Sequence, residues 1–271
     1  MFNKGEIIHH TRDALGSILV IDYRKHRVLT FNTVFEQSKI DRRYPYLPVH
    51  EYNRAMMLPS LFANPGHVTL LGLGGGVMAN AFHHLFPECR IHAIELREAV
   101  LETAREFFEL PDSERLEVTI ADARSALEKA PPGSTDMILA DLYTADRMSP
   151  AQAQRQFVDQ CARVLADDGW LVLNYHRTPD IDGPYFRRLK RYFAVLLTFR
   201  SKSNNTVVYA SKHHFQSVHP RDPILENFEA RLAHRLATPD GQGHADGIGR
   251  RGLALRTFAW EWTLMNGNYA P

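Results

Sequence analysis

Val68-Thr69-Leu70-Leu71-Gly72-Leu73-Gly74-Gly75-Gly76 is the stretch that decides the fold: an apolar strand runs out into glycines, and a helix-forming segment starts near Val77. Glycine adds no Cβ and tolerates positive φ, so such a turn lets the backbone come very close to a ligand. The strand-to-helix order also aims the N–H groups of the helix start at whatever lies above the loop. That favours a nucleotide or a similarly polar cofactor. The loop alone is a weak signal, because close strand–helix packing selects the same glycines.

The strands that follow add to it. Arg90 to Glu95 reads as a short buried strand ending on a carboxylate. In a doubly wound fold, an acidic residue about twenty positions beyond the glycine loop accepts hydrogen bonds from ribose hydroxyls. This spacing suits NAD and S-adenosylmethionine equally. Leu116 to Ile120 alternates as a strand and runs into Ala121-Asp122-Ala123, which places Asp122 to accept from an adenine amino group. Met137 to Ala140 is a further strand, ending on Asp141 with Leu142 and Tyr143 after it. The glycine loop, Glu95, Asp122 and Asp141 thus share the carboxyl edge of one parallel sheet, where open α/β sheets bind ligands. A single strand-end carboxylate is commonly a helix cap; three in order after a glycine loop point to a site.

Composition bounds the rest. A chain of 271 residues with 44% hydrophobic content buries a full core, and one α/β domain with a small appendage is the simplest partition. No apolar stretch is long enough to span a bilayer, and Met1 to Glu6 has no signal-peptide core, so a cytoplasmic protein without a membrane partner is expected. A net charge of +1 argues against a protein built around nucleic acid. Cys89 and Cys161 lack metal or redox spacing and read as packing residues, and His83-His84 and His213-His214 lack ligand partners, so no metal is expected.

Along the chain, Ser17 to Asp22 and Arg27 to Asn32 are β-rich runs around the polar turn Tyr23 to His26 and read as a hairpin. A helix is expected from His50, and another from Pro150 through Leu165, stopped by Asp168-Gly169 before a strand at Trp170 to Asn174. Ala194 to Phe199 and Thr206 to Ala210 could close the sheet as an antiparallel pair. The expected partition is 1–48 as an N-terminal β-hairpin domain, 49–212 as the Rossmann-like nucleoside-binding domain, and 213–271 as a partly mobile helical extension. Within that extension a helix is expected over 223–236, and the aromatic run Phe258 to Trp262 is expected to dock on its own domain or a partner subunit.

The order hairpin, Gln37, Tyr52 helix, glycine loop, Glu95, Asp122, Asp141 resembles the spermidine synthases, the polyamine aminopropyltransferases, over about the first 210 residues. The resemblance implies a class I methyltransferase-type Rossmann-like sheet with a small N-terminal antiparallel β domain, a homodimer or larger homo-oligomer, and decarboxylated S-adenosylmethionine as co-substrate. It implies that Gly72, Gly74, Gly75 and Gly76 hold the nucleoside and sulfonium chain, that Glu95 binds ribose, and that Asp122 with Ala123 binds adenine. Asp141 falls at the catalytic aspartate that helps to deprotonate and orient the amine. Beside the resemblance, Tyr143 is a candidate to support it, with packing as the plainer reading of a Tyr next to a strand end. Gln37 and Tyr52 fall in the substrate pocket.

Three departures stand beside these matches. The family loop typically reads Gly-Gly-Gly-Asp-Gly, and the position of its Asp, which receives the donor's ammonium, is here Gly75. The second carboxylate of the family's Asp-x-x-Asp-Pro is Thr144, and the pocket's Tyr-His-Glu is Tyr52-Asn53-Arg54. Burying an ammonium without a carboxylate is costly, so these changes point to a nonstandard amine acceptor. A donor that keeps its own carboxylate would be tolerated at Gly75, which keeps intact S-adenosylmethionine and a small-molecule methyltransferase open, together with a non-catalytic nucleoside-binding descendant. Asp146 or Glu51 is the candidate to replace the missing carboxylates, and 142–150 the candidate gate over the pocket.

Overall fold

The computed structural model describes residues 5–31, 35–142, 155–176, 180, 182–213 and 263–264. Strands β1 (Glu6–Asp13), β2 (Gly16–Asp22), β3 (His26–Thr30) and β4 (Glu36–Asp41) form an antiparallel meander in that order. The expected hairpin is its central pair, Leu19 opposite Thr30 and Asp22 opposite Arg27. The sheet has four strands rather than two: Glu6-Ile7-Ile8-His9-His10-Thr11-Arg12-Asp13 and Glu36-Gln37-Ser38-Lys39-Ile40-Asp41 are too polar to read as strands by alternation. They are strands because β2 and β3 offer them a hydrogen-bonding edge. The inner face, Ile18, Val20, Leu29 and Ile40, packs on Val77, Val100 and Phe108 of the larger unit.

The larger sheet contains β5 (His67–Leu71), β6 (Arg90–Glu95), β7 (Leu116–Ile120), β8 (Thr135–Ala140), β9 (Leu165–Tyr175), β10 (Val195–Arg200), β11 (Thr206–Ser211) and β12 (Thr263–Leu264). Its order is β12-β10-β11-β9-β8-β5-β6-β7. The five strands β9-β8-β5-β6-β7 are parallel. β11 and β10 return antiparallel beside β9, as the sequence suggests. Helices α1 (Glu51–Met56), α2 (Ser60–Ala63), α3 (Val77–Leu85), α4 (Glu98–Phe107), α5 (Ala123–Lys129), α6 (Arg155–Val164) and α7 (Pro184–Tyr192) connect them. Alternation splits the core about the sheet: Val68 and Leu70 join Phe82 and Val172 on one face, while Leu71 and Ile138 join Phe157 and Leu189 on the other. Within the described residues the sixth helix ends at Val164, short of Asp168-Gly169. The stop is earlier because β9 begins pairing at Leu165 opposite Thr135, with an irregularity before Trp170 meets Met137.

The expected helix over 223–236 and the aromatic run at 258–262 lie outside the described residues. Among the described residues no helix is long and apolar enough to cross a membrane. Cys89 and Cys161 are free and buried, and burial pushes the Cys89 thiol up to about 12.

Strand order reverses between β8 and β5, the switch point at whose carboxyl edge open α/β sheets bind ligands. Arg97, just beyond β6, ties the small sheet to this edge. Its guanidinium makes 2.9 Å bonds to both Asp13 carboxylate oxygens and to Gly16 O, and lies 4.7 Å over the Phe31 ring. Arg97→Met is expected to cost about 1–3 kcal/mol in urea unfolding, because it strips charged hydrogen bonds between a buried guanidinium and a part-exposed carboxylate. Arg97 holds the Asp13 carboxyl below the usual carboxylate range. Its contribution is therefore present above the unfolded-state pKa and is lost as pH falls through the lowered folded value, so the wild-type advantage over the variant should shrink in acid.

Candidate active site at the carboxyl edge of the sheet

Gly72, Gly74 and Gly76 adopt φ of +94°, +54° and +71°. The most constrained is Gly72, where an added Cβ would stand 2.6 Å from the backbone oxygen of Asp141. The chain ends of β5 and β8 touch there, and only glycine permits it. Gly76 is the N-terminal cap of α3, so the loop leads directly into a helix start. Neighbouring segments hold the loop in place: Leu73 N donates to Glu95 Oε2 at 3.0 Å, and Gly75 N donates to Ser38 Oγ at 2.8 Å.

Glu95 is buried at the end of β6, and its other oxygen accepts from Arg97 N at 3.0 Å. Both bonds are to backbone donors, and each carboxylate oxygen keeps a second lone pair for a ligand hydroxyl. Asp122 caps α5, its Oδ1 accepting from Arg124 N at 3.0 Å and Ser125 N at 3.3 Å, and Ala123 is the buried first residue of that helix. Ala121 N donates to Glu95 O at 2.9 Å, so the loops carrying Glu95 and Asp122 run side by side. Between them Leu96 and Ile120 are 55% and 41% exposed, large apolar side chains facing solvent next to the Glu95 and Asp122 carboxylates. The sequence reading singled out neither as a site residue.

Asp141 follows β8, its N–H donating to Leu71 O at 3.0 Å. Asn174 Nδ2 donates to its Oδ1 at 2.8 Å, and Tyr52, on α1, hydrogen-bonds the same carboxyl group. Burial outweighs these two bonds and pushes the Asp141 carboxyl up to about 6. Tyr52 stacks on His50 with ring centres 5.5 Å apart, and burial holds the His50 imidazole below its ordinary value. Its helix is pinned from the sheet by Tyr209, whose hydroxyl donates to Ala55 O at 2.9 Å.

Gln37 is half-buried beside Ser38 on β4, the strand that reaches the glycine loop. Arg54 is tied to the preceding loop, donating to Pro48 O at 3.0 Å and Val49 O at 2.6 Å. Glu51 accepts from Lys202 N at 2.7 Å. Tyr143, Thr144, Asp146 and the rest of the expected gate beyond Leu142 lie outside the described residues. Ser38 and Asn174 escaped the sequence reading. Asn174 had a legible signal, a polar residue near the end of an apolar strand, whereas Ser38 sits mid-strand in a polar run. Among the described residues no group of three or more His, Cys, Asp or Glu is placed to hold a metal.

Residues 68–169 match the family model described as a methyltransferase domain. Over 212 residues the chain is 30% identical to the polyamine aminopropyltransferase of Neisseria meningitidis serogroup A, covering 76% of this chain and 77% of that protein. The chain belongs to the polyamine aminopropyltransferase family. A probable spermidine synthase from Corynebacterium glutamicum shares the fold, with a TM-score of 0.70, 21% identity, and coverage of 87% of this chain and 88% of that one. Human methyltransferase-like protein 13, solved in complex with SAH, matches with a TM-score of 0.58 and 25% identity over 72% of this chain and 96% of that one. The family fold is thus a methyltransferase-like Rossmann sheet carrying an antiparallel N-terminal sheet.

Proposed function

We propose that this chain transfers the aminopropyl group of decarboxylated S-adenosylmethionine to a small-molecule amine. The observation that carries the reading is Asp141: a carboxyl group with its pKa pushed up to about 6, held by Asn174 and Tyr52 where β8 meets the glycine loop. An attacking amine must be neutral, and a carboxylate at that place orients it and takes its proton. The C–N bond forms as the C–S bond breaks, and the sulfonium leaves as a neutral thioether. Sulfonium is its own leaving group, so the protein chiefly aligns donor and acceptor and excludes water.

In this reading Gly72, Gly74, Gly75 and Gly76 lie against the nucleoside and sulfonium chain, Glu95 receives the ribose hydroxyls, and Asp122 with Ala123 receives adenine. Leu96 and Ile120 supply apolar walls for the adenine ring. Gln37 and Tyr52 line the acceptor side, and Tyr143, two positions after Asp141 in the chain, supports it. A homodimer fits the exposed Ile7, Leu15 and Phe35 in and beside the small sheet.

One observation favours a second reading, methyl transfer from intact S-adenosylmethionine. A Cβ at Gly75 would lie 2.9 Å from Phe108 Cδ1 and 2.9 Å from Ser38 Cβ. The space that a carboxylate-bearing residue would need is already filled, so no anion there repels a donor carboxylate. Calorimetry with each donor, followed by mass spectrometry of a panel of amines, separates the readings. An aminopropyl adduct from the decarboxylated donor is expected. A methyl adduct from the intact donor would replace the first reading with the second, and binding without any product would leave a nucleoside-binding module. If neither donor bound, both transferase readings would fall.

A further inference from the structure

Among the described residues two side chains hold the Asp141 carboxylate, and both lead back to one turn. Asn174, 1% exposed, donates to it through Nδ2. An amide side chain can present either N–H groups or its oxygen, so something must choose between them. The choice is made from behind: Asn205 Nδ2 donates to Asn174 Oδ1 at 3.1 Å, which leaves the Asn174 NH2 facing Asp141. Asn205, itself buried, is oriented in turn. Ser203 Oγ donates to its Oδ1 at 3.1 Å, its N–H donates to Ser201 Oγ at 3.1 Å, and the two serine hydroxyls lie 2.9 Å apart.

These residues form the tight turn between β10 and β11. Ser201 N donates to Asn205 O at 2.8 Å, Asn204 N donates to Ser201 O at 3.1 Å, and Asn204 takes φ +65°. Through its backbone N–H, Lys202 of this turn also holds Glu51, the residue before Tyr52, at 2.7 Å. The turn therefore braces both partners of the carboxylate, one through Asn205 and the other through α1.

We propose that Asn205 is a positioning residue for the reaction: with Ser203 behind it, the β10–β11 turn locks the Asn174 amide so that Asp141 always meets a donor. The inference rests on Asp141 receiving the acceptor's proton. Among the described residues Asp141 meets Tyr52 from α1, Asn174 from β9 and the glycine-loop backbone at Gly72. Burial raises its pKa and the two hydrogen bonds lower it. Without the Asn205 donor the Asn174 amide is held less firmly and its N–H bond to the carboxylate weakens, which disfavours the ionised form.

The test is the titration of Asp141, followed by carbon-13 NMR of labelled aspartate carboxyls and assigned with Asp141→Asn. Asn205→Ala is expected to move its midpoint up by roughly one pH unit and to carry the acid limb of kcat/KM with it, leaving the plateau at higher pH within a few-fold. Ser203→Ala, at an exposed position of the turn, should shift both in the same direction by less, and it decides the question if Asn205→Ala fails to fold. An unmoved Asp141 titration in the folded variants would overturn the proposal. A shifted titration with an unmoved acid limb would uphold the brace and remove Asp141 as the proton acceptor.

Discussion

Asp141→Asn is expected to lower kcat/KM by about 100- to 10,000-fold, the range over which a positioned proton acceptor contributes. Donor affinity should change little, since the contacts assigned to the nucleoside are made by the glycine loop, Glu95 and Asp122. The same variant is expected to be more stable than the parent at neutral pH. With the folded carboxyl raised from 3.8 to about 6, the ionised form costs the native state on the order of 2 to 3 kcal/mol. The sign follows from linkage: below about pH 3 both states are protonated and the cost vanishes, whereas above about pH 6 both are largely ionised and it is close to fully present. The variant should therefore gain in thermal midpoint at about pH 8 and gain almost nothing at about pH 3. An enzyme that keeps a buried carboxylate at its site gives up stability for chemistry. A variant with full turnover would remove Asp141 from the reaction, and one with no gain at high pH would show that the carboxyl is not raised.

Gly72→Ala is expected to destabilise the fold by about 2–5 kcal/mol and to abolish donor binding, combining a left-handed backbone with a collision. The collision partner decides the size. At Gly72 an added methyl meets a backbone oxygen at 2.6 Å, and that oxygen belongs to Asp141, fixed by pairing of β8 with β5. At Gly76 the 2.6 Å neighbour is Cδ1 of Leu110, the far end of a side chain that can rotate away. Gly133 supplies the reference, since its φ is +64° with nothing within 4 Å of an added Cβ. Gly133→Ala should cost about 1 kcal/mol, the backbone conformation alone. Urea unfolding of the three variants should rank Gly72 above Gly76 above Gly133; a Gly72 variant no worse than the Gly133 variant would show that the β5–β8 contact can open.

The gain in the Asp141 variant and the loss in the Gly72 variant arise at one place by different causes, burial of a carboxylate and close approach of a backbone oxygen. The two residues meet where strand order reverses.

The parallel sheet was legible because its signals are local. Each of Leu71, Glu95, Ile120 and Asp141 stands at or just beyond the end of a short apolar run, and parallel strands all end at one edge. Knowing where each run stops is then enough to know what shares that edge. The four-stranded N-terminal sheet was half legible, for β2 and β3 are apolar enough to announce themselves while β1 and β4 are strands by virtue of their neighbours.

The sequence by itself determined the α/β order, the glycine turn and which carboxylates lie at the carboxyl edge, because backbone sterics and two-residue periodicity act between near neighbours in the chain. Only the tertiary structure decided what surrounds Asp141 and Gly75. Tyr52, Asn174, Asn205, Ser38 and Phe108 converge there from five separate segments. Burial and a hydrogen bond's direction are properties of the space those segments enclose. Whether a carboxyl group is ionised, and whether a side chain fits, is set in that space and is written in no single stretch of chain.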